Sequence, residues 1–305
     1  MPETFISIRS VADLHRFYNY GSPKHPLITV IDLKNVSRCE VNFADYLYSL
    51  DLYTIVYKKF KGSLKYGRSG YDFQEGTLMF TAPNQVMSPS ADTVIEEGWF
   101  LAFQPDFIFG SDLGKKIHNY NFFLYESNEA LHISEDEKEM LDEVIVRIKK
   151  EYSQNIDRHT QGLILNQIEM LLNYADRFYD RQFFTRNKPG NDITHRFETL
   201  LNDYFNDEEL IEKGIPEVKY FALKLNLSSN YLSDLLAKFT GKSTIEHIHL
   251  KLIDKAKNIL LGTTKSVSEI AYDLGFEHPS HFTKVFKTKT GVSPLHFRRQ
   301  RDLRK

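Results

Sequence analysis

The chain is poor in the residues that would mark an exported, membrane-bound or metal-dependent protein. Cys39 is the single cysteine in 305 residues, which excludes an intramolecular disulfide framework and fits a reducing compartment. Its thiol reads as a small buried apolar group rather than a reactive one. No apolar run reaches the roughly eighteen residues a membrane helix needs. The opening MPETFISIRSVADLHRFYNY has neither a basic start with an apolar core nor a small-residue cleavage site. The expectation is a cytoplasmic protein with no membrane partner. A Gly-rich phosphate loop, a nucleophile motif and a metal-ligand cluster are also missing, so we expect no enzyme, no cofactor and no metal. At 41% hydrophobic residues, the chain has ample material for a buried core.

A net charge of −2 conceals an asymmetry. From Lys238 to Lys305 there are 14 Lys and Arg against 6 Asp and Glu, leaving 25 against 35 in the other 237 residues. Concentrated positive charge is what contact with phosphates requires.

That basic segment contains the most informative stretch, VSEIAYDLGFEHPSHFTKVFKTKTGVSP from Val267 to Pro294. Ser266 and Glu269 have the capping-box spacing, so a short helix should start near Val267. Ala271 leaves room for a crossing helix, Gly275 suits a left-handed turn, and Phe276 plugs the corner. His278 and Pro279 suit the N-cap and first position of a second helix. In that helix Phe282, Val285 and Phe286 make one apolar face, with Ser280, Thr283, Lys284 and Lys287 opposite. The pattern is a helix-turn-helix, and it occurs twice. In EVKYFALKLNLSSNYLSDLLAKFTG, residues Ala222, Leu225, Asn226 and Leu227 stand 49 before Ala271, Leu274, Gly275 and Phe276. After a one-residue difference in the turn, Tyr231, Leu232, Leu235, Leu236, Thr240 and Gly241 stand 50 before His281, Phe282, Val285, Phe286, Thr290 and Gly291. Asparagine replaces glycine at the turn because it also tolerates the left-handed region, and Ser228 caps the second helix.

Two such units, the second ending in GFEHPSHFTKVFKTKTGVSP before an arginine-rich tail, resemble the DNA-binding domain of AraC/XylS-type transcription regulators over roughly residues 192–299. The resemblance implies an all-α domain whose two recognition helices enter successive major grooves of double-stranded promoter DNA. It also implies activation through RNA polymerase as the commoner habit, though no residue excludes repression. In the first unit Ser229, Asn230, Ser233 and Asp234 are the DNA-facing candidates. Asparagine can pair with adenine, serine can donate or accept, and aspartate can accept from the cytosine amino group. Asp234 departs from the family's usual basic residue or glutamine, and a carboxylate near phosphates is unfavourable. In the second unit Ser280, Thr283 and Lys284 are base or phosphate contacts, while Lys287 and Lys289 are expected on phosphates. Arg298, Arg299, Arg301 and Arg304 read either as further contacts or as a frayed tail. Between the units, residues 244–261 read as one helix with Ile245, Ile248, Leu252, Ala256, Ile259 and Leu260 buried. Its length of about 27 Å is short of the ~34 Å between successive major grooves on one side of DNA.

From residue 27 to about 109 the texture is short strands and turns. LITVIDL, LYTIVYKKF and a strand over Thr77 to Thr81 suggest an antiparallel barrel or jelly roll. EGTLMFTAPNQV and EGWFLAFQPDF resemble the cupin-type sensor domain common in such regulators. The family's metal-binding His-x-His set is absent. His15 and His25 precede the strand region, and His118 and His132 follow it. The aromatic residues Tyr53, Tyr57, Phe60, Tyr66, Tyr71, Phe73, Phe80, Trp99, Phe100 and Phe103 either fill the barrel or line a cavity for a small-molecule effector. Ser134 and Glu137 then open a helix with Met140, Leu141, Val144, Ile145 and Ile148 on one face. A second helix over about 157–181 carries Leu163, Ile164, Ile168, Leu171, Leu172, Ala175, Phe178 and Tyr179. This hairpin either packs on the barrel alone or makes a homodimer contact, which the resemblance favours.

The expected fold is thus α+β and multidomain. It comprises a cupin-like antiparallel β-barrel over 1–130, a helical hairpin over 131–183, a linker over 184–191 punctuated by Pro189 and Gly190, and an all-α double helix-turn-helix domain over 192–305, opened by Asp192 as N-cap. Two other function classes compete with a regulator: a cupin enzyme acting on a small molecule under control of the helical part, and an architectural DNA-binding protein without a sensor.

Overall fold

In a computed structural model the described residues are 4–35, 46–61, 65–66, 69–70, 76–87, 94–126, 129–186, 193–206 and 214–302. Cys39, Tyr71, Phe73, Pro189, Gly190, Asp192 and Arg304 fall outside them. The chain divides into two compact units, Met1–Phe184 and Thr185–Lys305.

The first unit contains β1 (Thr4–Ile8), α1 (Val11–Phe17), β2 (Ile28–Asp32), β3 (Tyr46–Leu50), β4 (Tyr53–Lys61), β5 (Lys65–Tyr66), β6 (Ser69–Gly70), β7 (Gly76–Thr81), β8 (Val86–Met87) and β9 (Val94–Phe103). The short helices α2 (Pro105–Ile108) and α3 (Asp112–Lys116), then β10 (Leu131–Ile133), lead into α4 (Glu135–Ser153) and α5 (Thr160–Arg186). One sheet runs β10-β7-β4-β9-β2, antiparallel throughout. A second runs β1-β3-β8, with β1 and β3 parallel, and β5 and β6 make a small antiparallel pair.

Among the described residues these are open sheets, which corrects the closed barrel expected from the strand texture. The five-stranded sheet is apolar on both faces. Alternation along β4 turns Ile55 and Tyr57 one way and Val56 the other. Val56, Phe100, Ala102 and Ile31 form a core with Ile8, Leu50 and Leu52 and with Val11 and Leu14 of α1. The opposite face meets the long helices: the Val30 N–H donates to Tyr152 Oη at 3.1 Å, Trp99 Nε1 donates to Asp142 Oδ1 at 2.8 Å, and Phe80 lies 6.3 Å from Tyr179, ring centre to ring centre. A sheet covered on both faces is a middle layer, and it buries its surface without closing. His132 lies within β10 rather than beyond the strands. Buried His15 bridges the Gly21 carbonyl at 3.0 Å and Thr29 Oγ1 at 2.7 Å, and its burial lowers its pKa from the ordinary 6.5. His25 is shifted the same way by burial.

The α4 capping box of Ser134 and Glu137 is present, and Leu141, Val144, Ile145 and Ile148 are buried. Met140 and Leu163, expected on the apolar faces, are instead exposed by 42% and 48%. Helix α5 continues to Arg186, into the stretch read as linker. Buried Phe183, whose ring lies 6.2 Å from that of Tyr179, extends the apolar face by one turn.

The second unit is helical: α6 (Ile193–Asn206), α7 (Val218–Leu225), α8 (Ser229–Thr240), α9 (Thr244–Gly262), α10 (Val267–Asp273), α11 (Pro279–Thr290) and α12 (Pro294–Asp302). The turn between α7 and α8 places Asn226 at φ 57°, and the turn between α10 and α11 places Gly275 at φ 79°. The same left-handed step is therefore made by different residues. Their surroundings differ. A Cβ on Gly275 would lie 2.8 Å from Gly214 Cα and 3.0 Å from Ile215 N, so backbone rather than a movable side chain blocks it.

One core serves all these helices. Phe221, Leu225, Leu232 and Leu236 of the first helix-turn-helix and Ile270, Leu274, Phe282 and Phe286 of the second join Ile248, Leu252, Ala256 and Leu260 of α9 and Phe197 and Phe205 of α6. Ile245 and Ile259 depart from the expected α9 stripe: Ile245 is 42% exposed and Ile259 only half-buried.

Asn226→Gly should change stability by only a few tenths of a kcal/mol, because both residues tolerate the left-handed region. Gly275→Asn should cost about 2 kcal/mol or more through backbone overpacking. Urea unfolding of both variants distinguishes this from a purely conformational requirement, in which both would be mild. The pKa shifts of His15 and His25 give a second expectation. Their stabilisation is complete above the unfolded value of about 6.5 and is lost as pH falls through their lower folded values. Fluorescence of Trp99, the chain's only tryptophan, should therefore report easier unfolding at about pH 5.5 than at about pH 7.5. Equal stability at both would contradict the burial argument.

Candidate nucleic-acid interface

Helix α8 starts at Ser228, whose hydroxyl accepts from the Tyr231 N–H at 3.2 Å. Tyr231, Leu232, Leu235 and Leu236 are buried, which leaves Ser229, Asn230, Ser233 and Asp234 on the remaining face, all half-buried. They are not equivalent. Ser233 Oγ donates to Thr244 Oγ1 at 3.1 Å, and Thr244 is fully buried at the start of α9. That hydroxyl ties α8 to α9, whereas Asn230 has no such tether among the described residues.

Helix α11 starts after His278 with Pro279 at its first position. Phe282 and Phe286 are buried, while Ser280, Lys284 and Lys287 are exposed and Thr283 is half-buried. Thr283 Oγ1 donates back to the Pro279 carbonyl at 3.0 Å, so its hydroxyl retains acceptor capacity only. The repeat explains the difference from Ser233. Thr283 stands 50 after Ser233, but Pro294 stands 50 after Thr244 and has no hydroxyl to meet it.

His281 also lies exposed on this helix. It was missed because the repeat aligns it with Tyr231, which is fully buried. Its histidine identity at a position expected to be apolar was the available signal. Behind it, the pKa of His249 is lowered by burial and then by the charges of Lys289 and His281. His247, 2.7 Å from Thr240 Oγ1, is lowered by burial and by Lys242.

The basic residues fall into two groups. Several are internal tethers: Lys251 donates to Asn202 Oδ1, Lys255 to the Phe205 carbonyl, and Arg298 Nε to the Leu260 carbonyl at 3.1 Å. Arg298 is thus an anchor between α12 and the end of α9, not part of a frayed tail. Lys265 pairs with Asp273 at 2.7 Å, and Lys289 lies 3.9 Å from Glu246. Lys242, Lys284 and Lys287 are exposed and form no ion pair among the described residues. The described residues contain no group of His, Cys, Asp and Glu able to hold a metal, and no described helix is long and apolar enough to cross a membrane.

Residues 221–300 match the family described as "Helix-turn-helix domain". The chain is similar to an uncharacterized HTH-type transcriptional regulator in the cgkA 5' region of Pseudoalteromonas carrageenovora, at 34% identity over 100 residues, covering 33% of this chain and 54% of that one. It is 39% identical over 142 residues to the uncharacterized HTH-type transcriptional regulator YfiF of Bacillus subtilis, covering 46% of this chain and 41% of that protein. The chain therefore spans about half the length of these curated relatives. Among solved structures, the C-terminal domain of AraT, a response regulator from Geobacillus stearothermophilus, is 29% identical, with 38% of this chain and 88% of that one covered and a TM-score of 0.32. With two helix-turn-helix units built on one core, residues 185–305 carry an AraC-type helix-turn-helix domain, and that part of the chain is similar to HTH-type transcriptional regulators.

Proposed function

We infer that the chain is a sequence-specific regulator of transcription that binds promoter double-stranded DNA through α8 and α11. The observation that carries this reading is the doubled helix-turn-helix on a shared core, with Lys284 and Lys287, which form no ion pair among the described residues, on the exposed side of α11. Ser280, Thr283 and Lys284 face base edges, Lys287 takes a phosphate, and His281 lies on the same surface. In the first unit Asn230 is the principal reader. Ser229 flanks it, Ser233 is diverted to Thr244, and Asp234 disfavours close approach of a phosphate.

The N-terminal unit, Met1–Phe184, then acts as the sensor of a small molecule. The α4–α5 hairpin supplies the homodimer surface, supported by exposed Met140, Val146, Leu163 and Met170 and by an open groove of about 450 Å³ along α5 that includes Met170 and Tyr174. A ligand alters promoter occupancy only by favouring one arrangement of the protein over another. The reading includes activation through RNA polymerase and a cytoplasmic location.

Selection of genomic DNA fragments by the full chain, followed by sequencing, should return a recurrent site with two elements. Retention of fragments with no common motif would overturn the reading. On such a site Lys284→Ala should lose about 1–3 kcal/mol if it reads a base. Lys287→Ala should weaken operator and random DNA alike and lower the salt slope by about one. Equal losses on both DNAs for Lys284→Ala would move it to the phosphate group.

A further inference from the structure

The two helix-turn-helix units are attached to each other in more than one place. One attachment is α9, packed in the core they share. Another is a backbone contact in which α9 takes no part. Gly275, in the turn between α10 and α11, meets Gly214, which stands shortly before α7 begins at Val218. Both glycines have positive φ, 79° and 75°. A Cβ on Gly275 would lie 2.8 Å from Gly214 Cα and 2.9 Å from its carbonyl carbon, whereas a Cβ on Gly214 would meet the Gly275 carbonyl oxygen at an ordinary 3.7 Å. The close approach therefore depends on the side chain missing at Gly275.

Gly214 is itself held in place. Tyr204 Oη of α6 donates to the Gly214 carbonyl at 3.0 Å, and the Tyr204 ring meets that of Tyr220 of α7 edge-on with centres 5.0 Å apart. Ile215 packs against the shared core. The lead-in to the first helix-turn-helix is thus fixed at once to α6, to α7 and to the turn of the second. The repeat offers a comparison, because the equivalent turn of the first helix-turn-helix accommodates the side chain of Asn226 at φ 57°. Two bodies joined at one place keep a bending freedom that a second, separate joint removes. Backbone packed on backbone yields little.

We propose that the Gly214–Gly275 contact is a second joint between the two helix-turn-helix units, and that it makes Gly275, with Tyr204 behind Gly214, a determinant of the spacing accepted between the two elements of the DNA site. The proposal rests on the reading of α8 and α11 as the DNA-binding helices. Each base pair inserted between the elements displaces the second by about 3.4 Å and turns it by about 35° around the DNA axis. A stiff pair of units can follow only by deforming the DNA, whereas a hinged pair follows at little cost.

Affinities of the full chain for the selected site, for the site with 2 bp inserted between its elements, and for a site with one element destroyed test it. The unsubstituted chain should prefer its own spacing over the insertion by about tenfold or more. Gly275→Ala should cut that preference by about fivefold or more with single-element binding unchanged. Gly214→Ala bears the same positive-φ penalty without the overlap and should keep the preference. Tyr204→Phe retains the ring, loses the hydrogen bond to Gly214 and should cut the preference; it decides the matter if Gly275→Ala does not fold. A DNA-free measurement accompanies these: the distance distribution between spin labels at Ala237→Cys and Lys287→Cys, equivalent exposed positions on α8 and α11, in a Cys39→Ser chain. It should be narrow, and should broaden with Gly275→Ala or Tyr204→Phe but not with Gly214→Ala. No spacing preference in a chain that reads both elements, a preference or a distribution unchanged by the joint variants, or an equal effect of Gly214→Ala would each overturn the proposal. Broadening in a chain that binds no specific site removes the regulator and leaves the joint. Site-specific binding with unchanged distributions removes the joint alone.

Discussion

Helix α9 is the constraint on which the second unit depends. Its Ile248, Leu252, Ala256 and Leu260 are buried in a core that also holds the inner faces of both helix-turn-helix units. Neither pair of short helices encloses enough apolar surface to be stable alone. Helices of seven and eight residues, such as α10 and α7, are well below the length at which isolated helices persist. Packing both pairs against one 19-residue helix supplies that surface and fixes the distance between α8 and α11. The polar ties reinforce the same geometry. Ser233 to Thr244 and Thr240 to His247 join α8 to the start of α9, and Arg298 joins α12 to its end.

These ties give the two recognition helices unequal parts. In the first unit, a hydroxyl that could have met DNA holds the scaffold, and Asp234 sets a negative charge beside Asn230. In the second, Pro294 cannot form the equivalent bond, and the exposed face of α11 keeps Lys284 and Lys287 without ion pairs among the described residues. On the reading proposed above, the second helix-turn-helix contributes most of the attraction to phosphates and the first mainly discrimination. A count of basic residues in the sequence does not reveal this. Lys251, Lys255, Lys265 and Arg298 contribute to the same surplus, yet their charged groups are engaged within the protein.

The features legible in the sequence are those set by local chemistry. The left-handed turns at Asn226 and Gly275, the cap at Ser228 and the capping boxes at Ser134 and Ser266 each depend on residues a few positions apart. A repeat of about fifty residues made the two left-handed turns stand out. Long-range pairing was not legible. Nothing near Thr4 announces a parallel pairing with residues 46–50, and strand texture alone does not separate a closed barrel from a middle layer covered on both faces. Exposure was misread where helical spacing was the sole guide, at Met140, Leu163 and Ile245, because periodicity gives an apolar stripe but not its width. Within the candidate interface, the diversion of Ser233 and the exposure of His281 depend on what the neighbouring elements offer, a hydroxyl at Thr244 and, among the described residues, no cover over His281.

The central claim is that α9 holds both helix-turn-helix units as one body that reads two elements of a single DNA site. The most direct measurement takes the selected site and inserts half a helical turn, about 5 bp, between its two elements, with affinity measured at fixed salt. A rigid pair should lose about tenfold or more in affinity, approaching the binding of a site with one element destroyed. Affinity unchanged by the insertion would mean that the two units bind independently or that only one of them reads DNA, and would contradict the account.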